Sequence, residues 1–208
     1  MHILVDLTRV AVHRSTDGEP QTRRMGGIVK VADLDYYVVM EGGGRAAALV
    51  VEEFVLAGDH TAAGLASATW TANGWSPSLS LRIRKDGNLR ERVAYATRPG
   101  AAAAFRALGG GELPGEPDLR RQLRDYEPLN TAPPLRLGLT DSPYYRILFA
   151  GEPADPAAHP NLRQIGNGVA WCVDITVPEG TNPGPDLRAA RDAMRRNRLI
   201  PVTIERFY

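Results

Sequence analysis

The sequence has little of what usually announces a site. It has one cysteine, Cys172, in 208 residues, so no intramolecular disulfide forms and no cysteine-rich zinc centre is available. Its four histidines, His2, His13, His60 and His159, never fall three or four residues apart, so no metal is expected. Lysine is nearly missing: Lys30 and Lys85 stand against 23 arginines. With the abundant alanine, glycine and proline, that imbalance reads as the codon bias of a GC-rich bacterial genome. An arginine in this chain is therefore not by itself a sign of recognition. The net charge of +1 supplies no global field to attract nucleic acid or an anionic membrane.

Long apolar runs are also lacking. The longest uncharged stretch, Thr61 to Leu81, is full of serine, threonine, asparagine and glycine and is too polar to cross a bilayer. The opening "MHILVDLTRV" carries Asp6 and does not read as a signal peptide. The expectation is a soluble, cytoplasmic protein. The glycine runs "EGGGR" and "LGGGELPGE" fit neither GxxxxGK[ST] nor the strand–GxGxxG–helix pattern, and no GxSxG occurs. No cofactor is expected.

What is present is a strand-rich chain. "HILVDL", "RVAVH", "GIVKVADLDYYVVMEGGG" and "AAALVVEEFVLAG" read as strands. "SLSLRIR" and "LRERVAY" flank "KDGN", and Asp-Gly between alternating segments predicts a hairpin. Two short helices follow, "RPGAAAAFRALGGG" and "GEPDLRRQLRDYE", each with an early proline. The proline-rich connection "PLNTAPPLRLGLTDSP" is the natural boundary. It separates a β-rich part, residues 1–128, from residues 143–208, which read as β-β-α-β packed on the same core. The expected fold is α+β with predominantly antiparallel sheet.

Several residues invite a chemical reading. In "AGDHTAAG", Asp59 beside His60 suggests half of a catalytic pair, but aspartate is also a preferred helix cap or turn residue. A turn, with a helical turn or two after it, is expected, and His60 is kept as a general-base candidate. Glu52 and Glu53 lie in "LVVEEFVL" and face opposite sides of a strand. Each has apolar neighbours, Glu52 with Val50 and Phe54, Glu53 with Val51 and Val55. Such a carboxylate is either paired or perturbed. Asp33 and Asp35 share a strand face or bracket a bend. Asp174 beside Cys172 disfavours the thiolate, so the cysteine reads as structural. The basic helix from Asp186 to Arg198 has five arginines and two aspartates and reads as a solvated face laced by i,i+4 pairs.

Two functions fit. The first is a non-catalytic protein-binding module, of immunity type or a subunit of an assembly, homo-oligomeric or with another protein. Arginine, tyrosine and tryptophan dominate interface hot spots; Trp70, Trp75, Tyr144, Tyr145, Phe207 and Tyr208 are its candidate contacts. The second is a cofactor-independent tailoring enzyme or small-molecule-binding protein with a cavity on a curved sheet. There Glu52 or Glu53, with His60, would act as acid and base, and Arg82 or Arg84 would orient an anionic group.

Overall fold

The computed structural model describes residues 34–129, 144–178 and 180–207. The strands expected before residue 34, together with Asp33, residues 130–143 and Tyr208, lie outside them. The fold is α+β and its strand pairs are antiparallel throughout.

The first sheet contains β1 (Asp35–Glu41), β2 (Arg45–Leu56), β3 (Ala62–Thr71), β4 (Gly74–Ser76) and β5 (Val93–Ala96), in the order β4-β3-β2-β1-β5, with β6 (Asp125–Pro128) also paired to β3. The β1–β2 connection uses Gly43 and Gly44 at positive φ, which glycine adopts without steric cost. Alternation along β1 and β2 gives this sheet two buried faces. One carries Tyr36, Val38, Leu49 and Val51 and is covered by α3 (Arg98–Ala107) and α4 (Glu116–Arg120). The other carries Tyr37, Val39, Ala48 and Val50 and meets Ile83, Leu89 and Ile200.

The second sheet runs β10-β7-β9-β8, from β7 (Tyr144–Ala150), β8 (Leu162–Ile165), β9 (Ala170–Thr176) and β10 (Ile200–Phe207). Its inner face, Tyr145, Ile147, Phe149 and Val173, packs on Leu187, Ala190 and Met194 of α5 (Gly184–Arg196). Phe54, Ala62 and Leu65 of the first sheet join the same core. The Tyr145 hydroxyl donates to the Asp59 carbonyl at 2.9 Å, tying the second sheet to the β2–β3 turn.

Four expectations are corrected. The hairpin at "KDGN" does not form. Ser80–Lys85 is α1 and Gly87–Arg90 is α2, and the Asp86 side chain caps α2 by accepting from Leu89 N at 3.1 Å. A type I′ turn needs positive φ at both central residues, and Gly87 is not among the positive-φ glycines. Aspartate's capping preference prevails, and Ile83 and Leu89 are buried from helices instead. The second central helix stops at Arg120, because Asp125–Pro128 pairs with β3. "DHTAAGLASA" forms no helix: a turn leads straight into β3. There Asp59 Oδ1 accepts from Thr61 N at 3.1 Å and Thr61 Oγ1 at 2.7 Å. These bonds, with burial working against them, hold the Asp59 carboxyl below its usual range. The C-terminal part carries one strand more than expected, β8.

Candidate functional site

The candidate residues fall into three groups. The first is a buried ionic layer on the first sheet where it faces α1 and α5. Glu52 is fully buried, and Arg84 is 5% exposed. Arg84 Nη1 donates to Glu52 Oε2 at 2.9 Å and Nη2 to Oε1 at 2.5 Å, and the Ser80 hydroxyl also donates to Glu52. Arg84 further donates to the carbonyls of Pro201 at 2.8 Å and Ser80 at 2.9 Å. Both charges of this pair are satisfied, which is what a low-dielectric interior demands. One turn of α1 brings Ser80 and Arg84 together, so the helix that replaces the expected hairpin is what supplies the pairing. Arg82, from the same helix, points outward and is exposed.

Asp35 extends this layer. The register sets it opposite Glu52, and it forms an ion pair with Arg195, which also pairs with Asp192. Burial pushes the Asp35 carboxyl up, opposed by Arg195 and Arg191. Among the described residues the buried Tyr37 hydroxyl has no hydrogen-bond partner, and burial raises its pKa. The expectation of a solvated face on α5 is corrected for two residues. Arg191 and Arg195 are buried, because the helix lies between the sheets. Arg191 sits over the Phe54 ring at 5.5 Å and Arg195 over Tyr95 at 5.3 Å, both within cation–π range.

The second group holds the remaining sequence candidates. On the other face of the first sheet, Glu53 is bound by Arg120, at 3.0 Å from Nε to Oε2 and 3.1 Å from Nη2 to Oε1. Trp70 and Trp75 pack edge-to-face at 5.3 Å, with the Phe105 ring tilted against Trp70 at 4.6 Å; they build the core under α3. Tyr145 is buried in the second core. Tyr144 stacks on Phe207 at 5.0 Å, with Arg146 over both rings. Arg146 is anchored to Asp174 at 2.7 and 2.9 Å. His60 is half-buried at positive φ in its turn, near Gly184, and lines neither cavity described below.

The third group consists of two cavities that share Tyr95 and Arg195. The larger, about 870 Å³, lies between α2–β5 and the α5–β10 turn, and is rimmed by Arg90, Arg92, Arg196 and Arg198 with Glu91 and Glu152. Arg90 is committed to the Arg84 carbonyl at 2.7 Å, and Glu152 accepts from Trp171 Nε1 at 3.1 Å. The smaller, about 380 Å³, lies between the α5 arginines and the β5–α3 junction. Among the described residues no group of histidine, cysteine, aspartate and glutamate is placed to hold a metal, and no helix is long and apolar enough to cross a membrane.

No protein-family model matches the chain, and no curated protein or solved structure is significantly similar to it. The geometry alone therefore carries the functional reading. Sequence reasoning missed Tyr95, Arg92, Arg191, Arg195 and Arg198 as site residues. The arginine-rich α5 was visible, but nothing local marked which of its arginines turn inward.

Proposed function

We propose that this protein binds a small anionic molecule in the larger cleft. The carrying observation is that Arg92, Arg196 and Arg198 line that cleft with no ion-pair partner among the described residues, while Arg84, Arg120, Arg146 and Arg195 each hold a carboxylate. Those four arginines are held in ion pairs, whereas these three are exposed and line one hollow. Its volume is in the range of small-molecule sites. In this reading Glu52 and Glu53 are structural, since each is already held by an arginine, and no acid–base step is assigned to them.

A protein-binding role is the second reading. Its support is an apolar surface at one end of the first sheet. Val55 and Tyr126 are exposed and flank Gly64, over which the Tyr126 ring lies, with exposed Leu56 next to them.

Native mass spectrometry of the full chain, purified without denaturation, separates the two. A small-molecule adduct that disappears in an Arg92→Gln/Arg198→Gln variant supports the first. A stoichiometric protein partner that survives that change, and is lost on Val55→Ser/Tyr126→Ser, supports the second and overturns the first.

A further inference from the structure

The smaller cavity carries a separate inference, independent of the larger cleft. Arg191 is only 6% exposed, yet its guanidinium has no hydrogen bond or ion pair among the described residues. A guanidinium has five donors and no way to shed its charge near neutral pH, and buried charges are normally paired. Burial pulls the Arg191 pKa down, and Asp35, too distant for an ion pair, only partly offsets this. The surrounding groups are otherwise committed. Asp35 and Asp192 bind Arg195. Arg98 donates to the Tyr36 hydroxyl at 2.8 Å and the Pro114 carbonyl at 2.8 Å. Glu116 lies 3.5 Å from Arg120. Arg191 is thus a buried guanidinium with no carboxylate on it among the described residues, and with Arg98 and Arg188 it lines a cavity of about 380 Å³.

A second feature points the same way. Thr97 caps the ten-residue helix α3, and Ala96, Thr97 and Arg98 line the cavity. The positive end of that helix dipole therefore lies at the cavity wall. Leu34, Tyr36 and Tyr95 supply apolar surface beside it. We propose that this cavity binds a small organic monocarboxylate, its carboxylate on Arg191 and its apolar body against Tyr36 and Tyr95. The lining sets Arg98, Arg188, Arg191 and Arg195 against Asp35, Asp192 and Glu116, a formal balance of one positive charge, which favours a monoanion over a dianion such as phosphate.

The test is calorimetric titration of the full chain at constant ionic strength with benzoate, its neutral isostere benzamide, and inorganic phosphate. In an Arg92→Gln/Arg198→Gln background, which removes open arginines of the larger cleft, benzoate is expected to bind at one site per chain, at least tenfold more tightly than benzamide or phosphate, the difference expected of a charge-assisted hydrogen-bonded pair. Arg191→Gln is expected to abolish the preference for benzoate over benzamide. Arg106→Gln, at an exposed arginine that lines neither cavity, is expected to leave it unchanged. Should Arg191→Gln fail to fold, Thr97→Asp keeps a good helix cap and adds a negative charge at the cavity wall. It is expected to weaken benzoate about tenfold while leaving benzamide alone. Equal binding of benzoate and benzamide, tighter binding of phosphate, no binding of benzoate, or benzoate affinity indifferent to both Arg191→Gln and Thr97→Asp would each overturn the proposal.

Discussion

Breaking the Glu52–Arg84 pair should be among the most damaging changes available to this fold, and the two halves of the pair should not be equal. Glu52 is fully buried and Arg84 nearly so, and removing one partner of such a pair costs about 3–5 kcal/mol because the other charge is left without compensation. Glu52→Gln leaves Arg84 with the Pro201 and Ser80 carbonyls, two acceptors that soften the loss. Its cost belongs at the low end, about 3 kcal/mol, or about 6–12 °C in Tm for a chain of this size. Arg84→Met leaves Glu52 with the Ser80 hydroxyl alone and belongs at the high end, about 5 kcal/mol, or about 10–20 °C. Glu52→Met/Arg84→Met removes both charges. It should be more stable than Arg84→Met alone, since replacing a buried pair by apolar groups of similar volume is often close to neutral. Urea unfolding followed by circular dichroism measures all three, with midpoints compared at a common slope. The reasoning is refuted if Arg84→Met costs less than Glu52→Gln, or if the double variant is no more stable than Arg84→Met alone, which would mean that the buried carboxylate left behind costs nothing.

Other sites give independent checks. A methyl at Gly110 would overlap the Phe105 ring, which is buried against Trp70. Gly110→Ala should therefore cost about 1–3 kcal/mol by overpacking and change the tryptophan fluorescence; an unshifted spectrum with unchanged stability would show that the ring yields freely. Burial, then Asp174, raises the Cys172 thiol, so a thiol reagent at pH 7–8 should label it only as the protein unfolds, and rapid labelling of native protein would contradict its placement. Although burial works against it, hydrogen bonds from Arg146 and Arg163 hold the Asp174 carboxyl below the usual range. A depressed folded pKa contributes stability that is complete above the unfolded value near pH 4 and is lost as pH falls through the folded value. Asp174→Asn should flatten that part of the acid limb in a stability–pH profile, and an unchanged slope below pH 4 would count against the pairing. His60 has φ of 67°, a region costly to residues with a Cβ. His60→Gly should therefore be neutral or stabilising by up to about 1 kcal/mol, and a clear loss would reveal a contact that the backbone argument ignores.

The parts of this molecule that the sequence makes legible are those decided within a few residues. Alternation along "LVVEEFVL" sends Glu52 and Glu53 to opposite faces, and the register of β2 on β1 and β3 keeps them there. The three glycines after Glu41 make the expected turn, and the stripe Leu187, Ala190, Met194 finds a core. "KDGN" shows where this reasoning ends. Asp-Gly suits a hairpin and Asp suits a helix cap, and alternating leucines satisfy a strand as well as a short amphipathic helix. What separates the two is Glu52, which needs Arg84 and Ser80 on one side of one helical turn.

The same holds more strongly for the cavities. A helix packed on one sheet needs a single apolar stripe, and residues beside that stripe are then free to be solvated. Helix α5 has sheets on two sides. The stripe meets the second sheet, while Arg191 and Arg195 meet the first, where Asp35, Phe54 and Tyr95 receive them. Those three partners come from β1, β2 and β5, so the inward turn of the two arginines is a property of sheet order, which no window of sequence contains. It follows that the charge balance of the seam, and not the arginine count, is the quantity to read. Arg195 is neutralised by its neighbours and so belongs to the fold. Arg191 is buried beside it without a counter-ion among the described residues, a difference of four residues along one helix that separates a structural arginine from one available to a ligand.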